Sequence, residues 1–119
     1  MSHLVDTSAL LGAGLPEVDG DWSVSVVTVG ELQAGVLCAG SPALRALRLR
    51  ILGEVLDEAV VVGVDVSVAS AYAEIRAAAG RQPSNDLWIA ATAKAFDLEL
   101  VTADRQLAKV PGVRTMLVA

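Results

Sequence analysis

From Leu87 to Phe96 the chain carries one charge, Lys94, and neither proline nor glycine. A helix that apolar on nearly every face cannot lie on a surface, and has to be enclosed by protein. Pro83 and Ser84 break the preceding segment and provide a start signal. Ala90, Ala91, Ala93 and Ala95 present only methyl groups, which let a helix lie close against a sheet. The stretch therefore predicts a central helix with a sheet beside it, and it sets Asn85 and Asp86 at the helix mouth. Asp86 has two readings at this point. It is either an acid of the first turn offsetting the helix dipole, worth roughly 0.3–1 kcal/mol, or a carboxylate held there for chemistry.

The rest of the chain supplies the sheet. Leu4 and Val5 form a short first strand stopped by Asp6, Thr7 and Ser8, either hydroxyl of which can cap a helix through Ala9, Leu10 and Leu11. A polar loop marked by Gly12, Gly14, Pro16 and Gly20 leads to a second strand over Trp22–Val27. Thr28 and Glu31 then match a capping box, with Glu31 reaching back to the Thr28 backbone. After Gly40-Ser41-Pro42, a second helical pattern places Leu44, Leu47, Ile51, Leu52, Val55 and Leu56 on one face. Arg45, Arg48 and Glu54 lie on the other with Arg50 nearby, either solvated or facing phosphate. Ala59–Val64 is a β-branched third strand expected to be buried on both faces, and a helix from Asp65 and Ser67 closes at Gly80. Leu98, Leu100 and Val101 make a fourth strand, a short helix passes through Gln106 and Leu107, and Val113–Val118 forms the fifth. Strand and helix alternate throughout, predicting one domain over residues 1–119: a three-layer α/β/α sandwich on a parallel sheet.

Composition narrows the chemistry. Hydrophobic residues make up 54% and aromatics only 3%, so the core has to be Val, Leu, Ile and Ala. The single cysteine, Cys38, cannot form an internal disulfide. It reads as a small buried hydrophobe, since His3 is the one histidine available to activate it, and this fits a reducing cytoplasm. His3 and Cys38 alone cannot make a zinc site. The purest apolar run, Val60–Val64, is far too short to span a bilayer, so a soluble cytoplasmic protein without a membrane partner is expected. A formal charge of −5 argues against a nucleic-acid partner. That objection weakens if Asp6, Glu31, Asp86 and Asp104 share a cation, because the remaining charge is then close to zero and can include a local arginine patch.

The placement of those four acids is the second constraint. Asp6, Glu31 and Asp104 each follow the end of a strand, and Asp86 opens the helix that feeds the fourth strand. In a parallel sheet all four fall on the carboxyl edge, where ligands bind. Arg105 is the one basic residue at these junctions, so the acids would repel one another unless a cation were shared.

Val5-Asp6-Thr7-Ser8, Ser25 to Thr28 with Gly30-Glu31-Leu32 and Ala34-Gly35, Asn85-Asp86 with Ile89 to Ala93, and Val101-Thr102-Ala103-Asp104 form an ordered set across almost the whole chain. In that order and spacing they resemble the PIN-domain family, in particular the VapC-type ribonuclease toxins of prokaryotic toxin–antitoxin systems. The resemblance implies the strand order 3-2-1-4-5, Mg2+ or Mn2+ at an acidic cluster, and endonucleolytic hydrolysis of RNA. It also implies a homodimer and inhibition by a small cognate antitoxin. The family's four acids fall on Asp6, Glu31, Asp86 and Asp104, with Thr7, Ser8, Asn85 and Thr102 as flanking polar groups. The segment Ala9–Asp21 is shorter than is usual for the family, which bears on the substrate groove and not on the acids. The competing reading is a non-catalytic PIN-like protein-binding module whose acids only cap helices. A receiver-type phosphoacceptor role for Asp6 has no support, since no acidic pair accompanies it. An apolar surface near Tyr72, Ile75, Leu87 and Trp88 is the expected dimer contact.

Overall fold

In the computed structural model, which describes residues 2–12 and 21–118, five short parallel strands form one sheet. They are β1 (His3–Val5), β2 (Trp22–Ser25), β3 (Val60–Val62), β4 (Glu99–Thr102) and β5 (Thr115–Leu117), in the order 3-2-1-4-5. This is the architecture that the alternation of elements and the family resemblance imply. The register pairs Leu4 with Ser23 on one side and with Leu100 on the other, so β1 lies at the centre.

Successive residues of a strand point to opposite faces, and the two faces have separate cores. Leu4, Val62 and Leu100 pack with α4 (Val66–Ala79) and α5 (Ser84–Ala95). Val5, Val24 and Val101 pack on the other face with α1 (Thr7–Gly12), α2 (Val26–Leu37) and α3 (Pro42–Glu58). Helix α5 buries Leu87, Ile89, Ala90, Ala91, Thr92 and Ala93, the enclosure its composition requires. The pair Lys94–Glu74, 2.6 Å apart, and a stack of Tyr72 on Trp88 with centroids 3.9 Å apart tie α4 to α5. Among the described residues no helix is long and apolar enough to cross a membrane.

Local signals differ from the sequence expectation at several points, each with a physical reason. The second strand ends at Ser25, whose hydroxyl accepts from the Val27 amide, so α2 starts at Val26, two residues before Thr28. Thr28 is therefore a buried residue inside the helix, and the Thr28–Glu31 capping box does not form. Strand β3 is an edge strand, and Val60 and Val61 are 47% and 42% exposed rather than buried on both faces. On α3 only Leu52 and Val55 are buried, while Leu47 and Leu56 face outward. Cys38, at the end of α2, is exposed. Ile75 and Leu87 are fully buried, which leaves Tyr72 and Trp88 as the partly exposed members of the apolar set expected at the surface. Arg48 is half-buried, and its Nη1 donates to the Gly35 carbonyl at 2.7 Å. The fifth strand is shorter than Val113–Val118, and the segment after β4 makes a 3-10 turn at Leu107–Lys109. Most of the loop before β2 lies outside the described residues.

Candidate active site at the carboxyl edge

Asp6 is the residue after β1 and caps α1. Its Oδ1 accepts the Ala9 amide at 2.9 Å, so the carboxylate takes the capping role that the sequence offered to Thr7 or Ser8. Ser8 Oγ donates to both carboxylate oxygens at 2.9 and 3.0 Å, and Thr102 Oγ1, at the end of β4, donates to Oδ2. The Ser8 hydroxyl in turn accepts the Ala103 amide, and the Thr102 hydroxyl accepts the Asp104 amide. A buried ion needs such donors: Asp6 is 3% exposed. Burial pushes its proton affinity up, the bonds from Thr102, Ala9 and Ser8 oppose that, and the charge of Asp104 adds to it.

Glu31 lies in the second turn of α2, and each of its oxygens has one neutral donor. Thr7 Oγ1 donates to Oε1 at 2.7 Å, and Asn85 Nδ2 donates to Oε2 at 2.6 Å. Thr7 also contacts the buried Thr28 hydroxyl at 3.3 Å. Thr28 is the polar neighbour that the capping-box pattern concealed; its polarity inside an otherwise apolar turn of α2 was the available signal.

Asp86 is in the first turn of α5, a helix that begins without a side-chain cap. Its carboxylate accepts no side-chain hydrogen bond among the described residues and is only partly exposed. Its pKa is raised above the ordinary value, first by burial and then by the charges of Asp104, Glu31 and Asp6. Asp104 follows β4 and uses Oδ1 to hold the Gln106 and Leu107 amides at 2.8 and 3.4 Å.

The structure thus brings all four acids into one electrostatic neighbourhood, and places Thr7, Ser8, Asn85 and Thr102 as direct donors to two of them. Among the described residues no three acids converge into a ready-made coordination shell. Both carboxylate oxygens of Asp6 are occupied by donors, Glu31 is held by Thr7 and Asn85, and Asp104 is held by two backbone amides. A hard divalent cation that keeps several waters needs only one or two direct carboxylates, and Asp86 is a carboxylate lacking side-chain donors and destabilised by its neighbours' charge. Carboxylates are hard oxygen donors, the chemistry that suits Mg2+ or Mn2+, and Asp86 is the one of the four whose carboxylate accepts no hydrogen bond among the described residues.

Residues 4–113 match the family described as PIN domain. Ribonuclease VapC4 of Mycobacterium tuberculosis is 38% identical over 125 residues, covering 97% of this chain and 95% of that protein. Ribonuclease VapC5 of the same organism is 38% identical over 98 residues, covering 79% and 72%. The crystal structure of a member of the VapBC family of toxin-antitoxin systems, VapBC-5 from M. tuberculosis, superposes with a TM-score of 0.83 at 33% identity over 98% of each chain. With its acids on the carboxyl edge of a 3-2-1-4-5 sheet, and with relatives this similar along nearly its full length, the chain belongs to the PIN-domain family, in its VapC branch.

Proposed function

We propose that the protein is a divalent-metal-dependent endoribonuclease and the toxin of a toxin–antitoxin pair. The observation that carries this is the set of four acids at one sheet edge, in a chain 38% identical to a protein named as a ribonuclease. Asp86 is the residue to hold a cation, Mg2+ or Mn2+, directly, with Asp104 and Asp6 engaging it through its bound waters. When bound, it would supply positive charge against a phosphodiester and acidify water. Glu31 then has the task of orienting the attacking water and accepting its proton. Its position is fixed by Thr7 and Asn85, which donate to one carboxylate oxygen each. Asp6 is fixed by Ser8 and Thr102 and sets the floor of the site.

Neighbouring solved structures described as VapBC complexes support a small antitoxin as partner. An arginine or lysine of that partner facing the carboxylates would suit their charge. A homodimer belongs to the same proposal. The partly exposed Tyr72–Trp88 stack on α4 and α5 is the contact it would use.

The decisive experiment incubates the purified protein with total RNA and Mg2+ or Mn2+ and maps the cut ends by sequencing. Cleavage that chelation abolishes and that Asp86→Asn lacks supports the proposal. No cleavage by a folded, metal-supplied protein would refute it in favour of the non-catalytic module. Light scattering tests the dimer, for which a mass near 12.3 kDa rather than twice that would count against it.

A further inference from the structure

Arg105 sits immediately after Asp104 and lines a cavity of about 430 Å³ with Ala103, Leu117 and Val118. The register fixes where this cavity lies. Thr102, whose hydroxyl holds Asp6, pairs with Leu117 of the neighbouring strand, and the Val118 amide donates to the Thr102 carbonyl at 2.8 Å. The cavity therefore lies at the carboxyl ends of β4 and β5, lined by Ala103 and Arg105, the two chain neighbours of Asp104.

Arg45, Arg50, Arg81 and Lys109 are exposed and in no ion pair among the described residues, but none of them lines this cavity, and the four other basic side chains besides Arg105 are engaged. Lys94 and Arg114 are in ion pairs, Arg76 holds the Gly80 and Gln82 carbonyls, and Arg48 holds that of Gly35. Arg105 is exposed and in no ion pair among the described residues. Beneath it Leu117, half exposed, and Val118 give an apolar floor. An exposed cation over an apolar floor, beside a cluster of acids, matches the chemistry of one nucleotide: an anionic phosphate joined to a flat base.

We propose that Arg105 and the Leu117–Val118 floor form a substrate subsite. It would hold one phosphate and the adjoining base of the RNA strand next to the bond that is cut. This rests on the ribonuclease reading, and it explains how a chain with a net charge of −5 can draw a polyanion toward its own acids. Arg105 is a positioning residue here, since it contacts the substrate away from the reacting phosphate.

The test measures affinity for a fluorescein-labelled single-stranded RNA of mixed sequence over a range of salt concentrations, in the Asp86→Asn background so that nothing is cut. Arg105→Ala should weaken binding roughly two- to tenfold. It should also lower the slope of log affinity against log salt by about 0.7, the loss of one phosphate contact to a single strand. Arg105→Lys should recover most of that slope. Leu117→Ser should weaken binding with the slope unchanged, because it removes only the apolar contact. In the cleaving protein, Arg105→Ala should raise KM more than it lowers kcat, at an unchanged melting temperature.

An unaltered salt slope in Arg105→Ala would overturn the subsite. If that variant instead bound RNA normally and lost affinity for the protein encoded beside this one, the cavity would be a protein contact and the RNA assignment would be overturned. RNA binding that depends on Arg105 in a protein that cuts nothing would uphold the subsite and refute the nuclease reading. Cutting with an Arg105-independent KM would do the reverse.

Discussion

Replacing Thr102 by valine removes one hydroxyl at nearly constant shape, and that hydroxyl serves both a buried ion and a backbone amide. Its Oγ1 donates to Asp6 Oδ2 and accepts the Asp104 amide at 3.0 Å. A hydrogen bond to a charged group contributes about 1.5–3 kcal/mol. Asp6 keeps Ser8 and the Ala9 amide as donors, so the cost should fall near the middle of that range, about 2 kcal/mol. For a chain of this length each kcal/mol shifts the midpoint by about 4 °C, so the variant should melt about 8 °C lower at pH 7 without divalent ions. Losing the donor also raises the pKa of Asp6 further above the ordinary value that burial already lifts it from. A higher folded-state pKa means that the part of the deficit owed to the ionised Asp6 is full above the pKa of both proteins and disappears below both, leaving only the smaller cost of the Asp104 amide. Thermal unfolding followed by circular dichroism from pH 7 to below the usual carboxylate range should therefore show the two melting curves converging in acid. Equal midpoints at pH 7, or a gap that ignores pH, would show that Thr102 contributes packing and not a bond to an ionised Asp6.

Asp86→Asn should abolish RNA cleavage yet raise the metal-free melting temperature at neutral pH. The ionised wild-type group, with its pKa raised by burial and three like charges, weakens the fold there. The gain should vanish in acid, and a loss of stability at pH 7 would contradict it. Mn2+ should raise the wild-type midpoint progressively, by the equivalent of about 2.7 kcal/mol at a hundredfold excess over Kd, and much less in Asp86→Asn. A flat titration would count against a metal site. Gly80→Ala should cost about 1–2 kcal/mol in urea unfolding, since Gly80 ends α4 at φ 71°, where a Cβ is strained whatever the space around it. An unchanged midpoint would disprove that turn geometry.

The sequence made the layers readable because strong periodicity and breakers mark them. The ten nearly uncharged residues from Leu87 need an enclosed helix. Ser41-Pro42, Asp65 and Gly80 stand at the ends of helices where their chemistry suits them. The acids stood out in the sequence because Asp6 and Asp104 come directly after strand ends, Glu31 follows the second strand, and Asp86 opens a helix. What could not be read was the choice between equivalent local partners. Ser25 and Thr28 both offer a helix cap, and the choice of Ser25 follows from where β2 must stop to pair with β1 and β3. Glu31 cannot be assigned from Thr28-x-x-Glu31 alone, since its actual donors are Thr7 and Asn85, 24 and 54 residues away. Burial of Val60, Val61 and Cys38 depends on which strand is at the edge and where α2 ends, and both are tertiary facts.

The central position of β1 has a consequence for synthesis and folding. The hydrogen bond from Thr102 to Asp6 closes a loop of 96 residues, and β1 acquires its second neighbour only when β4 arrives. Contacts so remote in sequence form late and slowly compared with helical ones. A ribosome-bound chain that has delivered Asp6 and Glu31 still lacks Asp104 and the strand that fixes Asp6. The acid cluster therefore comes into being only when nearly the whole chain is available and folded. Truncated or stalled products carry most of the acids without the arrangement that gives them meaning.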